Sequence, residues 1–321
     1  MKFVIESMFH QYSSLGILGI ETSKALEGLG NSVVKIPWPE YQTESLANVD
    51  YWVKIAIGPS KVDYIKKTSK KFLFMPIFES TEMTKWFPRQ LFDSADMFVC
   101  PSKFVLDHLK YPQPKLIWNH GVVPHKFKKQ KTNFDEPLRL LMVATLDTRK
   151  FGDEFLELFY NRFRNNKDIE LLVKCQPDYK IKIKNCDNIK FMPTILAKDG
   201  LYTLYSICDA LIMPSRGEAF GLPALEAASV GLPLIISNWG GQLDYIDDCV
   251  ALKINGKLVD TPKDGPWEGQ WFDPDKDEIE SHILTFISDR SWLEAGRANR
   301  DHVINKWSWK EVTKQFYEKL F

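Results

Sequence analysis

Residues 214–231 read Pro214-Ser215-Arg216-Gly217-Glu218-Ala219-Phe220-Gly221-Leu222-Pro223-Ala224-Leu225-Glu226-Ala227-Ala228-Ser229-Val230-Gly231. The apolar run at 210–213 before them has the length and composition of a buried strand. A loop carrying Glu218 follows, and Pro223 stands where a first helical residue belongs. Proline fits there because the N–H it lacks would have no intrahelical partner. The N–H groups from about Ala219 to Leu222 are then expected to be unpaired and to point outward, with the positive end of the helix dipole behind them. Such an end suits a phosphate or a sugar hydroxyl. Glu226 falls about one turn into a helix otherwise made of Ala, Leu, Val and Ser. A carboxylate in those surroundings calls for a specific hydrogen-bonding partner.

The same strand-then-helix alternation runs outward in both directions, which is the pattern of parallel α/β sheets. In the first half, strands are expected at 2–6, 32–36, 51–57, 72–77, 97–100 and 115–118. A helix after the first strand carries Leu18, Thr22, Ala25 and Leu29 and is stopped by Gly30. The basic stretch 126–131, followed by Asp135-Glu136-Pro137, reads as a linker. The second half restarts the pattern at 138–143, 170–174, 189–191, 210–213 and 234–236. The predicted fold class is therefore α/β, with two Rossmann-like parallel-sheet domains facing a cleft. Ligands of such sheets bind beyond the carboxyl ends of the strands.

At 321 residues, with 44% hydrophobic and 26% charged residues, the chain has a globular composition and room for two domains. No apolar run approaches the ~18 residues that span a bilayer. Residues 1–6 go directly into a strand, leaving no room for a signal peptide. Lys+Arg equals Asp+Glu, so no global field recruits nucleic acid. The five cysteines show no C-x-x-C spacing, consistent with reduced thiols and a cytoplasmic setting. The six histidines show no paired-ligand spacing and argue against a metal site.

The two glutamates of 214–231, with E-A-F-G-L-P around the turn and V-G-L-P-L-I-I-S after it, resemble the E-x7-E element of retaining, nucleotide-sugar-dependent glycosyltransferases with the GT-B fold, of the group 1 (family 4) type. The resemblance implies that Glu218 contacts the donor sugar and Glu226 the nucleotide ribose. It also implies that the loop amides of Phe220, Gly221 and Leu222 lie against the sugar and diphosphate. Arg149 and Lys150, just after the first strand of the second half, resemble the family's phosphate clamp, and Lys174 resembles its V-K or I-K variant. The commoner pattern has Gly-Arg directly after the strand where this chain has Ala144-Thr145, so Arg149 stands in for that arginine. Charge-assisted hydrogen bonds to a leaving diphosphate contribute about 1.5–3 kcal/mol each. The alternative is that these cations solvate a loop.

In the first half, Gly16 in Ser13-Ser14-Leu15-Gly16 matches the family's loop that closes over the diphosphate. Glu79, followed by Trp86 and later Pro101-Ser102-Lys103-Phe104, resembles the family's strand-end glutamate at the cleft edge, which implies a catalytic residue that orients an acceptor hydroxyl or touches the donor; a solvated loop carboxylate is the alternative. His120 reads as structural. The resemblance implies domains at 1–130 and 131–302, with 303–321 returning to the first. It also implies hexose transfer to a glycan, lipid-linked or protein hydroxyl, with retention and with no metal or other cofactor. Clusters at 66–71 and 126–131 either touch anionic lipid at the inner membrane face or are solvated. An epimerase or phosphorylase, or an inactive sugar-nucleotide-binding subunit, shares the same architecture.

Overall fold

The computed structural model describes every residue except 11, 39–45, 56–60, 85–86 and 130–135. The chain forms two compact units. The first holds Met1–Val123, Asp260–Gln270 and Lys306–Phe321, and the second Pro124–Val259 and Trp271–Asn305.

In the first unit the strands are β1 (Lys2–Ser7), β2 (Ser32–Pro37), β3 (Val49–Ile55), β4 (Ser69–Met75), β5 (Met97–Cys100) and β6 (Lys115–Ile117). They form one parallel sheet in the order β2-β1-β3-β4-β5-β6. Its helices are α1 (Ser14–Gly28), α2 (Val62–Thr68), α3 (Arg89–Ser94) and α4 (Lys103–His108). β4 ends at Met75 rather than 77 because Pro76 has no N–H to continue the ladder. The expected last residues of β3 and Trp86 lie outside the described residues. A fully buried ion pair crosses the sheet: Lys54 on β3 donates to Glu6 on β1 at 2.8 Å, and the Trp52 indole N–H donates to the same carboxylate at 2.9 Å.

The second unit carries β7 (Leu138–Val143), β8 (Ile169–Cys175), β9 (Ile189–Pro193), β10 (Ala210–Met213), β11 (Leu234–Ser237) and β12 (Ala251–Ile254). They form a second parallel sheet in the order β12-β11-β10-β7-β8-β9. β10 and β11 are buried along their whole length, as expected of central parallel strands covered on both faces. The helices are α5 (Gly152–Phe163), α6 (Lys198–Ile207), α7 (Leu222–Val230), α8 (Lys276–Ser288) and α9 (Ser291–Trp307). Phe155, Phe159, Ile279, Ile283 and Phe286 from α5 and α8 join Leu138, Leu171 and Val173 of the sheet in one core. The sequence pattern did not reveal β12 or the two-stranded pair β13 (Gly256–Asp260) and β14 (Gln270–Pro274). Both are short, and β13 is mostly exposed, so neither carries a clear hydrophobic signal.

The division between the units falls at Val123 and Pro124. Residues 126–129, read above as part of a linker, belong to the second unit together with Pro124 and His125. Lys129 N–H donates to Val230 O at 2.9 Å, and its ammonium makes a buried 3.0 Å ion pair with Asp209. Arg300 donates to the carbonyls of His125 and Phe127 at 2.7 and 3.2 Å. Lys129 is thus withdrawn from any lipid surface. In the other basic cluster, Lys66 and Lys70 pair with Asp96 and Asp50. Among the described residues no helix is long and apolar enough to cross a membrane.

The chain ends in α10 (Trp309–Leu320), which belongs to the first unit. Phe316 stacks on Trp118 with ring centroids 4.1 Å apart, and the Trp118 indole N–H donates to Thr313 at 3.2 Å. Gly121 lets Trp309 approach: a Cβ there would sit 2.6 Å from the Trp309 nitrogen.

Candidate active site

The carboxyl end of β10 leads through residues 214–221 into α7. Gly221 takes a left-handed conformation at φ +83° as the residue before the helix, and Pro223 lies in the first turn. The helix starts at Leu222, one residue earlier than expected, which leaves Pro223 still in the first turn, where its missing N–H costs no intrahelical bond. Every α7 residue except Pro223 is buried, and Gly231 at φ +105° ends the helix. Among the described residues, the N–H groups of Gly221 and Leu222 have no acceptor. Buried amides without a partner are rare in native proteins, and each asks for a ligand or another explanation.

Glu218 is 6% exposed and forms an ion pair with the Lys150 ammonium. Arg149 lies alongside: its Nη1 donates to Gly217 O at 2.8 Å and stands 4.0 Å from the Glu218 carboxylate. The two loops are also joined through the backbone, since Arg216 N–H donates to Arg149 O at 2.7 Å. Burial pushes the Glu218 carboxyl up. The Lys150 and Arg149 charges, with hydrogen bonds from Lys150 and Ser215, outweigh it and hold the group below the usual carboxylate range. The turn that presents Arg149 and Lys150 depends on Phe151, a fully buried residue at φ +56°. A non-glycine residue in that region costs on the order of 1–3 kcal/mol. The surroundings impose it: the Arg216 guanidinium lies 4.7 Å over the Phe151 ring, while Arg216 itself is clamped by Glu154 and Asp273.

Glu226 sits in a different environment. It is buried on α7 and accepts one hydrogen bond from the Tyr205 hydroxyl at 3.1 Å. Burial raises its carboxyl to about 7, although the Tyr205 hydrogen bond and the Lys198 charge pull the other way. One acid is therefore held as an anion and the other is poised near neutrality.

Lys174 lies near the carboxyl end of β8, in register with Val143 at the end of β7. Its half-buried ammonium has no ion-pair partner among the described residues, and burial lowers its pKa. The structure thus joins Arg149, Lys150 and Glu218 directly, and carries Phe220, Gly221, Leu222 and Glu226 on one continuous loop and helix. Lys174 stands on the strand beside β7 without touching Glu218. Gly16 and Glu79 belong to the first unit. Gly16 is buried in the first turn of α1, where its N–H donates to Ser13 Oγ at 3.2 Å and a Cβ would overlap the His10 carbonyl. Glu79 is half-buried in the loop after β4. His120 is fully buried against Trp309, with its pKa pushed down to about 3 by burial.

The sequence reading missed the segment that backs the Glu218 loop. Gly241 N–H donates to Glu218 O at 2.8 Å, and a Cβ at Gly241 would overlap the Ala219 carbonyl. Gln242, with no exposed surface, donates to Ser237 O at 3.0 Å and to Trp239 O. Tyr245, equally buried, donates to Gly221 O at 2.6 Å. A Gly-Gly pair just after a strand was the available signal, since it marks a turn or a close backbone approach. Among the described residues no group of three His, Cys, Asp or Glu side chains is placed to hold a metal ion.

A family model described as "Glycosyl transferases group 1" matches residues 125–291, just over half of the chain and all of the site residues in the second unit. O-antigen chain mannosyltransferase B of Escherichia coli is 32% identical over 127 residues, covering 40% of this chain and 28% of that one. D-inositol 3-phosphate glycosyltransferase of Mycolicibacterium smegmatis is 27% identical over 138 residues, covering 42% and 27%. The chain therefore matches less than a third of the length of either relative. Among solved structures, sucrose-phosphate synthase from Thermosynechococcus elongatus superposes with a TM-score of 0.69 at 15% identity, covering 100% of this chain and 99% of that one. That likeness is one of fold.

Proposed function

The chain belongs to the glycosyl transferases group 1, with the two-domain α/β architecture of the GT-B fold, and from that premise we propose that it moves a hexose from a nucleoside diphosphate sugar to a hydroxyl acceptor with retention of anomeric configuration. The observation that carries the reading is that the loop bearing the Lys150–Glu218 ion pair runs within three residues into the unpaired amides of Gly221 and Leu222. Cationic side chains and free N–H donors suit a leaving diphosphate, and a fixed carboxylate suits the hydroxyls of the sugar. The Lys150 ammonium, held in place by Glu218, is a charged donor of the kind a diphosphate oxygen accepts.

In this reaction the bond between the anomeric carbon and the diphosphate oxygen breaks, and negative charge grows on the phosphate. Lys150, Arg149 and Lys174 stabilise that charge, and the amides at the start of α7 add to it without reorganising. Glu218 holds the sugar hydroxyls and Glu226 the ribose hydroxyls. The acceptor oxygen attacks from the face the diphosphate leaves, and its proton passes to a leaving phosphate oxygen. By family resemblance, Gly16 serves the diphosphate and Glu79 the acceptor hydroxyl. With cationic side chains supplying the charge, the reaction proceeds without a metal, so turnover survives chelation by EDTA.

A thermal-shift panel of UDP-glucose, GDP-mannose and ADP-glucose tests the donor class. A true donor at ~100 times its Kd adds about 2.7 kcal/mol of stability. No shift with any of the three overturns the reading. Product analysis with a radiolabelled donor tests the reaction, and release of a free epimer without acceptor overturns the transfer step.

A further inference from the structure

We infer that Tyr245 is a positioning residue that aims the Leu222 N–H at the donor's β-phosphate. The inference rests on the reading that this loop binds a nucleoside diphosphate sugar. Tyr245 follows the short 3-10 turn Gly241–Asp244 and is completely buried, with its ring 5.2 Å from that of Phe220. Its hydroxyl donates to the Gly221 carbonyl at 2.6 Å, and the same oxygen accepts Ala224 N–H at 3.1 Å. Both lone pairs of that carbonyl are thereby engaged. The peptide unit is planar and trans, so its C=O and the following N–H point in opposite directions. Fixing the Gly221 carbonyl from one side therefore fixes the Leu222 N–H on the other. That N–H is one of the two amides with no acceptor among the described residues.

Gly221 alone does not hold this peptide, because at φ +83° glycine is free to adopt many conformations. The neighbouring contact points the same way. Gly241 N–H holds the Glu218 carbonyl at 2.8 Å, so both ends of the 218–221 loop are tied to the segment that presents Tyr245. A tyrosine needed for packing alone is replaceable by phenylalanine with its ring in place. Here the hydroxyl has the specific task.

The test compares the unaltered chain with Tyr245→Phe by calorimetric titration. The probes are UDP, GDP and ADP, each beside its monophosphate, which lacks the β-phosphate. For whichever base binds, the variant is expected to weaken the diphosphate about tenfold and leave the monophosphate within about twofold, since about 1.4 kcal/mol corresponds to a factor of ten. Equal weakening of both, or of neither, overturns the inference while the family reading stands. Failure of the unaltered chain to bind any diphosphate overturns both. Should the variant not fold, the amide resonance of Leu222 in the unaltered chain supplies the result. A large shift with the diphosphate and a small one with the monophosphate supports the assignment, and the reverse overturns it.

Discussion

At the scale of single residues, the two glutamates of the α7 loop have opposite electrostatic fates. Glu218 is buried beside Lys150 and Arg149 and is held ionised. Removing the ammonium in Lys150→Ala leaves the buried carboxylate with only the more distant Arg149 at 4.0 Å, so the cost falls below the roughly 3–5 kcal/mol of a fully unpaired buried charge. That variant is expected to unfold at markedly lower urea and to lose transfer by at least about 100-fold, a size seen when one charge-stabilising donor is removed. The double variant Lys150→Met, Glu218→Gln recovers most of the stability and none of the activity, which separates the two roles. Glu226 has the opposite sign. Its carboxyl is raised from 4.5 to about 7, so the folded state holds its proton more tightly than the unfolded state. The associated stability is fully present below pH 4.5 and declines as pH rises through about 7, by about 3 kcal/mol in total. Urea titrations at pH 5 and pH 8 should show this decline in the native chain and its absence in Glu226→Gln. A flat profile in the native chain contradicts the assignment. The lowered carboxyl of Glu218 works the other way, contributing stability above its unfolded value that is lost as acid is added.

At the scale of elements, the start of α7 depends on a glycine whose freedom is used. At Gly221 a Cβ would meet φ +83°, the Tyr245 hydroxyl at 2.9 Å and the Met213 methyl at 3.0 Å. The left-handed conformation alone costs an L-residue roughly 1–2 kcal/mol. Gly221→Ala is expected to lower stability by at least that amount and to weaken donor binding, measured by thermal shift with and without the donor. Unchanged affinity would show that the loop conformation is not what the ligand uses. The helix itself was legible in the sequence. Pro223 and Gly231 bracket it with their ordinary preferences, and the apolar strand before it has the right length. The turn at Phe151 was not legible. A phenylalanine at φ +56° has no local signature, and only the packing of Arg216 over its ring explains it.

At the scale of the molecule, each sheet is closed by residues distant in sequence. In the first unit the last helix supplies Phe316, stacked on Trp118 from nearly two hundred residues earlier, and Tyr317, bonded to Asn31 at 3.2 Å. Phe316→Ala is expected to destabilise that unit by about 3–5 kcal/mol, the range for a fully buried aromatic ring. Tryptophan fluorescence during urea unfolding reads the effect. A shift of the midpoint no larger than that of a surface substitution would show that α10 is dispensable to the first unit. In the second unit the polypeptide before β7 is anchored by the Lys129–Asp209 pair and by Arg300, although its lysine-rich composition reads as a solvated linker.

Composition and periodicity were enough to establish the α/β class, most strands of both sheets and the strand-loop-helix around Glu218, while Arg149 and Lys150 were singled out by family resemblance alone. Those features arise from interactions within a few residues of one another: alternation of apolar runs, the φ of proline, the freedom of glycine. What lay beyond reach were the pairings across long separations. Lys150 meets Glu218 across 68 residues, Tyr245 meets Gly221 across 24, and Glu6 meets Lys54 across 48. Each depends on where the folded chain brings two segments back together. A residue's own type sets which partners suit it, but the return path of the backbone chooses among them, and with that choice come the burial and charge that separate Glu218 from Glu226.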